Sequence, residues 1–296
     1  MRLLCVLCLP LWLLLCAPVQ AAAPAPDAAA RIAALEKKSG GRIGVAVATL
    51  DGRTLLGYRA QERFAMCSTF KALLGAAVLA RVDAGQERLE RDIAYRASDL
   101  LEYAPVTTAN LGKGAMSIAA LNAASIQVSD NTAANLLLDT IGGPAALTAW
   151  LRQIGDTTTR LDRNEPALNS NLDGDERDTS TPAAMTATLR KLVDGSVLSP
   201  ASTEQLKAWL IGNTTGDARL RAGFASGWIV GDKTGTGAQG ATNDMAVVYP
   251  RGSAAFVITV FYTGSQASGE ERSAVLAEVA RISAAALPRQ RRRQAR

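Results

Sequence analysis

Ser68 and Lys71 form the only Ser-x-x-Lys run in the chain, and they have the residue types of a nucleophile and its base. A helix is predicted to begin at Ser68, so the two side chains lie one turn apart on one face and Lys71 can reach the Ser68 hydroxyl. A lysine that is desolvated among other cations can be neutral enough to act as a base. The free N–H groups at a helix start can stabilise an oxyanion. Taken alone, the run fits a helix cap with a surface lysine better.

A second run, Ser129-Asp130-Asn131, lies where two predicted helices meet. A hydroxyl at this position can pass a proton to a leaving nitrogen, and an asparagine amide can hold a substrate amide. The same residues also fit a cap of the following helix, and Asp130 suits that role.

A third run, Lys233–Gly237 (KTGTG), follows a short apolar segment. Strand alternation would direct Lys233 and Gly235 to one face, and Thr234 and Thr236 to the other. A strand at the edge of a cleft can offer its backbone to a substrate while Lys233 supplies positive charge. In isolation the run also fits a glycine-rich turn.

The fourth run lies in a segment without helical spacing, residues 157–180, which is rich in Asp, Asn and Arg. Glu165 and Asn169 are four residues apart, so a carboxylate and an amide can hold one water and take its proton. Arg163 and Asp178 stand near the two ends of the segment and can pair to close it. Loops of this length in compact proteins are usually functional, although charges in loops are often only solvated.

Histidine is absent from the chain. This excludes a Ser-His-Asp triad, a histidine general base and histidine-ligated zinc. The four cysteines are Cys5, Cys8, Cys16 and Cys67, and only Cys67 lies outside the apolar N-terminus, so neither a cysteine metal site nor an internal disulfide is expected. We predict no metal and no cofactor, so hydrolysis would depend on Ser, Lys, Glu, Asp, Tyr and backbone groups.

The apolar pattern divides the chain into strands, then helices, then strands again. Strands are predicted at 44–50, 53–58, 227–231, 242–249 and 254–262, and helices at 29–38, 68–82, 117–128, 132–141, 144–154, 181–193, 200–211 and 268–286. We predict a mixed α/β fold of the α+β type. An antiparallel five-stranded sheet is flanked by the terminal helices, an all-α lobe is inserted between its strands, and the active site lies in the cleft between them.

Residues 1–21 have the charged start, apolar run and small-x-small end of a signal peptide, which predicts export to the periplasm.

Removing Arg2 and the five arginines of the tail 289–296 changes the formal charge of +5 to −1 for residues 22–288. The basic charge is therefore a property of the tail, which we expect to be disordered, and no nucleic-acid partner is indicated. We expect a monomer that is not bound to a membrane after cleavage.

Two predicted domains follow from this pattern. Residues 22–62 and 212–288 form a discontinuous α/β sheet domain, and residues 63–211 form an all-α domain that carries an omega-type loop at 160–178.

Ser68, Ser129, Glu165 and Lys233 follow one another at spacings of 61, 36 and 68 positions. With their surrounding motifs, in this order, they form the pattern of penicillin-recognising serine enzymes. From Gly44 to about Ser283 the chain resembles a class A serine β-lactamase, which implies hydrolysis of β-lactam antibiotics and resistance to them.

The resemblance implies a role for each matching position. Ser68 would attack the lactam carbonyl, with the backbone N–H groups of Ser68 and Thr236 as the oxyanion hole. Either Lys71, or Glu165 through a water, would activate Ser68, and the sequence leaves this choice open. Ser129 would pass a proton to the lactam nitrogen. Glu165 with Asn169 would activate the water that hydrolyses the acyl-enzyme.

The same resemblance implies the substrate-binding residues. Asn131 would contact the acylamino side chain, and Tyr103 would line the mouth of the cleft. Lys233, Thr234, Gly235 and Thr236, with Arg219, would meet the substrate carboxylate. The resemblance also implies a cis bond before Pro166.

One position departs from some carbapenem-hydrolysing relatives. These join the cysteine before the nucleophile to a second cysteine just after the Lys-Thr-Gly-Thr run, where this chain has Gly237. Cys67 is therefore expected to be a small buried apolar residue. The ranking of penicillins, cephalosporins and carbapenems, and the sensitivity to inhibitors, stay open.

Two other functions share part of the motif set. A D-Ala-D-Ala peptidase or penicillin-binding protein would lack the water site of Glu165 and Asn169 and would usually carry a membrane anchor. A β-lactam sensor domain would bind without turnover and would be fused to membrane and signalling parts.

Overall fold

The structure is a computed structural model that describes residues 27–287. The predicted signal peptide (1–21) and the predicted basic tail (289–296) lie outside the described residues. Within 27–287, no helix combines the length and the apolar character needed to cross a membrane.

The described part of the chain contains nine strands and ten helices in the predicted order of strands, helices and strands. The strands are β1 (Arg42–Thr49), β2 (Thr54–Tyr58), β3 (Phe64–Ala65), β4 (Asp92–Ala94), β5 (Ala115–Ser117), β6 (Thr179–Ser180), β7 (Ile229–Thr236), β8 (Thr242–Tyr249) and β9 (Phe256–Thr263). The helices are α1 (Ala28–Ser39), α2 (Phe70–Asp83), α3 (Pro105–Ala109), α4 (Ile118–Gln127), α5 (Asn131–Ile141), α6 (Gly143–Gln153), α7 (Pro182–Val193), α8 (Pro200–Ile211), α9 (Leu220–Gly223) and α10 (Gly269–Ala285).

The main sheet has five antiparallel strands in the order β2-β1-β9-β8-β7. The hairpin between β1 and β2 turns at Asp51-Gly52, where Gly52 has φ 90°, a conformation that glycine adopts without steric penalty. The terminal helices α1 and α10 pack on one face of this sheet, around Ile32, Ile258 and Leu276, which are all fully buried. The predicted five-stranded sheet with flanking terminal helices is confirmed.

The opposite face of the sheet meets the helices of the middle of the chain. Ten successive residues of α2, from Phe70 to Leu79, are buried. A helix that is apolar on all sides is stable only when other elements surround it, and α4, α5, α6 and α8 all contact α2. Gly75 belongs to this packing, since a Cβ there would lie 2.8 Å from Ile126 Cδ1. The N-terminus of α2, next to Ser68, is therefore held rigidly between the sheet and the helices.

Three local features differ from the predicted elements. Ser68 lies in a 3-10 turn, Cys67–Thr69, and the α-helix itself begins at Phe70. The strand predicted at 227–231 begins later, at Ile229, and continues through Thr236. Lys233–Thr236 therefore belong to the strand, as the strand interpretation of the run predicted, and only Gly237 follows it. Two small sheets, β3 with β6 and β4 with β5, lie within the helical part of the chain and had no clear alternation in the sequence.

The continuation of β7 has a packing reason. β7 pairs with β8 along its whole length, with Thr234 opposite Asp244 and Thr236 opposite Thr242. Position 235 of this strand is a glycine, because a Cβ there would stand 2.7 Å from Met66 O and 3.2 Å from Ser68 N. Glycine inside a strand often marks such a close approach of two backbones. Here it brings β7 against the turn that carries Ser68.

Candidate active site

The turn that carries Ser68 is fixed by backbone contacts on both sides. Met66 N donates to Asp178 O at 2.9 Å, and Asn243 Nδ2 donates to Met66 O at 3.1 Å. Cys67 has φ 48°, in the left-handed region that non-glycine residues rarely adopt. Such a conformation persists only where the surroundings hold it. Ser68 is consequently held in a fixed position just before the N-terminus of α2, with 8 % of its surface exposed.

Lys71 is fully buried, and besides Ser129 Oγ its Nζ has three acceptors at 3.0 Å or closer. Its Nζ lies 2.8 Å from Ser129 O, 2.6 Å from Asn131 Oδ1 and 3.0 Å from Glu165 Oε1. Burial lowers the pKa of Lys71, and the charge of Glu165 opposes this shift. Three acceptors use all three protons of an ammonium group, so the resting arrangement is that of a charged lysine.

Ser129 joins the two buried lysines of the site. Its Oγ lies 3.3 Å from Lys71 Nζ and 3.0 Å from Lys233 Nζ. Its backbone is in the left-handed region, with φ 62°. The adjacent Asp130 is buried and caps α5, and its Oδ2 also accepts from Thr107 N at 2.9 Å. Asp130 therefore positions the run, as the cap interpretation predicted, while Ser129 faces the two ammonium groups.

Glu165 is buried and contacts the nucleophile directly. Ser68 Oγ donates to Glu165 Oε1 at 3.0 Å, and Asn169 Nδ2 donates to Glu165 Oε2 at 2.5 Å. The backbone of Glu165 is held by one asparagine of α5: Asn135 Nδ2 donates to Glu165 O at 2.9 Å, and Glu165 N donates to Asn135 Oδ1 at 3.0 Å. The carboxylate thus lies between the serine and an amide, with its backbone tied to α5.

The loop that carries Glu165 is closed by the predicted ion pair. Arg163 Nε lies 2.6 Å from Asp178 Oδ2, and Asp178 Oδ1 accepts from the backbone N–H of Arg163 at 2.9 Å. Asp178 is fully buried. The peptide bond between Glu165 and Pro166 is cis, which confirms the geometry that the family resemblance implied.

Strand β7 forms the opposite wall of the site. Lys233 is fully buried, and both burial and the charge of Lys71 lower its pKa to well below the ordinary lysine value. Arg219 lies beside the end of the strand, where its guanidinium donates to Gly235 O at 2.9 Å and to Thr236 Oγ1 at 2.7 Å. Three cationic side chains, Lys71, Lys233 and Arg219, therefore lie close to one another, which favours an anionic ligand.

A cavity of about 370 Å³ lies between these walls. Nine predicted site residues line it: Ser68, Tyr103, Ser129, Asn131, Asn169, Arg219, Thr234, Gly235 and Thr236. The remaining three, Lys71, Glu165 and Lys233, lie directly behind this surface and contact it through Ser68 and Ser129. The structure thus brings together all twelve predicted residues. A larger cavity, about 620 Å³ on the outer side of the Glu165 loop, contains none of them.

Two residues of the site were not predicted. Thr215 lines the cavity, and its Oγ1 lies 2.5 Å from Thr234 Oγ1. Asn135 clamps Glu165. Asn135 could have been found, because it stands one helical turn after Asn131 and so shares its face of α5. Thr215 lies in a turn-like Asn-Thr-Thr-Gly run and carried no signal.

The profile of the Beta-lactamase enzyme family matches residues 27–287, which is the whole described part of the chain. The chain belongs to the class A β-lactamase family. This β-lactamase is a serine hydrolase that opens the amide bond of β-lactam antibiotics and so confers resistance to them.

Curated and structural relatives agree with this assignment. The β-lactamase is 48 % identical to Beta-lactamase CTX-M-8 of Citrobacter amalonaticus over 88 % of this chain and 89 % of that protein. It is also 48 % identical to Beta-lactamase OXY-2 of Klebsiella oxytoca, over 84 % and 85 % of the two chains. The structure of the last common ancestor of Gram-negative bacteria class A β-lactamase has a TM-score of 0.86 and 60 % identity, with 88 % of this chain and 98 % of that one covered.

Proposed function

We propose that the β-lactamase acts through a covalent ester on Ser68, which a water activated by Glu165 then hydrolyses. Ser68 Oγ forms a bond to the lactam carbonyl carbon, the ring C–N bond breaks, and the ring nitrogen receives a proton. Water then attacks the ester carbon, which releases the ring-opened acid and restores the Ser68 hydroxyl. No external reactant other than water is required.

The contact between Ser68 Oγ and Glu165 Oε1 at 3.0 Å is the observation that supports this proposal most directly. The carboxylate stands within hydrogen-bond reach of the atom that will carry the acyl group. Asn169 Nδ2 holds the second oxygen of the carboxylate, while Asn169 Oδ1 is buried without a partner among the described residues. A water near Ser68 would therefore find two acceptors, the Glu165 carboxylate and the free Asn169 oxygen, that can orient it for attack.

Two groups can accept the Ser68 proton during acylation. In the resting arrangement Ser68 donates to Glu165, and all three protons of Lys71 are committed to other acceptors. This arrangement favours Glu165 as the first acceptor. Lys71 becomes the base only after it has lost a proton, which the lowering of its pKa by burial makes easier.

Ser129 is proposed to deliver the proton to the ring nitrogen. Its Oγ lies within hydrogen-bond distance of two ammonium groups, Lys71 and Lys233, which can replace the proton that it gives away. The backbone N–H groups of Ser68 and Thr236 are proposed to bind the carbonyl oxygen, and the tight packing of Gly235 against Ser68 N supports this pairing.

The substrate carboxylate is proposed to bind at β7, where Lys233, Thr234, Gly235, Thr236 and Arg219 combine positive charge with hydroxyl donors. Asn131 is proposed to contact the acylamino group. Tyr103 is half-exposed at the rim and is proposed to border the mouth.

The cellular setting is also proposed. The signal-peptide pattern of residues 1–21 supports export to the periplasm. We expect a monomer with small-molecule β-lactams as its partners, no nucleic-acid partner and no membrane attachment. The division into a sheet domain (22–62 and 212–288) and a helical domain (63–211) also stays a prediction.

The test is to measure acylation and deacylation separately with benzylpenicillin and nitrocefin. The mature enzyme should turn over both substrates, and Glu165→Ala should accumulate an ester on Ser68 that intact-mass spectrometry detects. If Glu165 is also the acylation base, the acylation rate of this variant falls as well. Glu176→Gln, an exposed glutamate of the same loop, is the matched control and should deacylate normally. Rapid deacylation by Glu165→Ala would contradict the assigned role.

A further inference from the structure

Thr215 lies between the carboxylate-binding strand and a buried acidic side chain. We propose that Thr215 is a positioning residue for the substrate carboxylate, because it decides in which direction the Thr234 hydroxyl offers its proton. This inference rests on the proposed carboxylate site at β7. It adds a residue to that site through an ordered series of hydrogen bonds, Asp232–Asn213–Thr215–Thr234.

The series begins at Asp232, which is fully buried. Arg221 Nε lies 2.5 Å from Asp232 Oδ1, and Asn213 Nδ2 lies 2.6 Å from Asp232 Oδ2. Only the nitrogen of the Asn213 amide can donate to a carboxylate oxygen, so the amide orientation is fixed. Gly216 completes the support, since a Cβ there would collide with Asp232 Oδ2.

The fixed amide turns its oxygen toward Thr215. Asn213 Oδ1 accepts from Thr215 N at 3.1 Å and from Thr215 Oγ1 at 2.8 Å. A threonine hydroxyl has a single proton. That proton can be directed either at Asn213 Oδ1 or at Thr234 Oγ1.

The next hydroxyl in the series belongs to Thr234, whose Oγ1 lies 2.5 Å from Thr215 Oγ1. Either hydroxyl can be the donor of this contact. When Thr215 donates, the single proton of Thr234 stays free to point into the cavity. This is the state that can bind a carboxylate.

An arriving carboxylate selects one direction of the series. Thr234 donates to the anion, and Thr215 donates to Thr234 Oγ1. Asn213 Oδ1 keeps the Thr215 backbone N–H, so every group retains a partner. In the bound state a donor stands behind Thr234, and successive hydrogen bonds of this kind strengthen one another. Thr215 thus supports the carboxylate contact without touching the carboxylate.

A substrate whose anion accepts hydrogen bonds less strongly should depend less on this support. Penicillins and cephalosporins carry a carboxylate, whereas a monobactam carries an N-sulfonate, whose oxygens are less basic. Thr215 should therefore favour the carboxylate class over the sulfonate class.

The test uses Thr215→Val, which removes the hydroxyl with little change of shape, and Thr215→Ser, which keeps it. Stopped-flow acylation by benzylpenicillin gives the dissociation constant of the noncovalent complex and the acylation rate constant separately. Loss of one hydrogen bond next to an anion should raise the dissociation constant of Thr215→Val about threefold to tenfold. This rise in the dissociation constant should exceed any fall in the acylation rate constant of Thr215→Val. Thr215→Ser should bind benzylpenicillin like the wild type. For the monobactam aztreonam, the dissociation constant of Thr215→Val should rise less.

The neighbouring Thr214 provides a matched control, since its exposed hydroxyl donates to Gln127 O and does not line the cavity. Thr214→Val should leave the dissociation constant unchanged. An unchanged or smaller dissociation constant in Thr215→Val, or an equal effect on aztreonam, would overturn the proposal. Thr234→Val distinguishes failure of the carboxylate site at β7 from failure of the Thr215 proposal. If both Thr215→Val and Thr234→Val bind benzylpenicillin normally, the carboxylate site itself is wrongly placed. If only Thr234→Val binds weakly, the failure is confined to Thr215.

Discussion

Asn135 holds the backbone of Glu165 from both sides, as donor to the carbonyl oxygen at 2.9 Å and as acceptor from the amide N–H at 3.0 Å. The side chain belongs to α5, the helix that also begins with Asn131. The carboxylate of a long loop is thereby tied to a rigid helix. Catalytic groups depend on such support, because a displacement of about 1 Å can lower a rate by a factor of about a hundred.

Asn135→Leu should therefore slow deacylation. The substitution keeps the approximate volume and removes both hydrogen bonds, so Glu165 loses its fixed position relative to Ser68. We expect the deacylation rate constant to fall by a factor of about 10 to 100, measured from the decay of the acyl-enzyme after a single turnover. Asn135→Asp, which keeps the acceptor for Glu165 N–H, should show a smaller fall. Equal rates for wild type and Asn135→Leu would show that the clamp is not needed.

The ion pair that closes the loop gives a stability prediction. Arg163→Ala leaves the fully buried carboxylate of Asp178 without its cationic partner. Removing one member of a buried pair typically destabilises by about 3–5 kcal/mol; we expect the low end, because one-fifth of the Arg163 side chain is exposed. Urea denaturation should detect this as a lower midpoint.

Arg160→Ala is the control for that measurement. Its pair with Asp162 is more exposed, at 38 % and 23 % of the two side chains, and exposed pairs contribute about 0–1 kcal/mol. A midpoint equal to that of Arg163→Ala would mean that burial of the Asp178 carboxylate is not the decisive factor.

Much of this architecture was predictable from local pattern. The apolar periodicity placed the five strands and the long helices within a few residues, because each buries one defined face or is buried on all sides. The four motifs supplied ten of the twelve site residues, and the family resemblance supplied Tyr103 and Arg219.

The remaining features depend on contacts between distant segments. The continuation of β7 through Thr236 as one strand comes from pairing with β8 and from the approach of Gly235 to Met66, neither of which leaves an apolar alternation. Thr215 acquires its position only because Asn213 is oriented by Asp232, nineteen residues away in sequence. The direct contact of Ser68 with Glu165, in place of a Lys71–Ser68 contact, likewise depends on the placement of the loop.

A side chain at Gly237 is predicted to be accommodated only at a cost in stability. A Cβ there would lie 2.6 Å from Cys67 Sγ and 2.9 Å from Asn169 O, so Gly237→Ala must displace either the nucleophile turn or the Glu165 loop. Overpacking of this kind destabilises by about 1–3 kcal/mol, and displacement of Asn169 should slow deacylation as well. Gly112→Ala, where a Cβ meets nothing within 4 Å, is the control. Adding Cys67→Ala to Gly237→Ala should recover part of the lost stability; strictly additive losses would contradict the proposed collision.

The lowered pKa values of the two buried lysines predict a fall of kcat/KM at alkaline pH, the alkaline limb of the pH profile. Burial, with the charge of Lys71, places the pKa of Lys233 well below the ordinary value of 10.5. The ammonium form is the one that attracts a carboxylate, so kcat/KM should fall as the pH rises through this lowered pKa. A bound carboxylate favours the charged form, and the limb in kcat should therefore lie at higher pH than the limb in kcat/KM.

The variant Lys233→Arg tests whether deprotonation of Lys233 causes this alkaline fall of kcat/KM. A guanidinium keeps its proton throughout the accessible range, so the alkaline limb of kcat/KM should move to higher pH even where the variant is slower overall. The measurement is a pH–rate profile with benzylpenicillin from pH 6 to about 10.5, the ordinary lysine pKa. A limb that stays in place in Lys233→Arg would transfer the titration to Lys71, whose pKa burial also lowers.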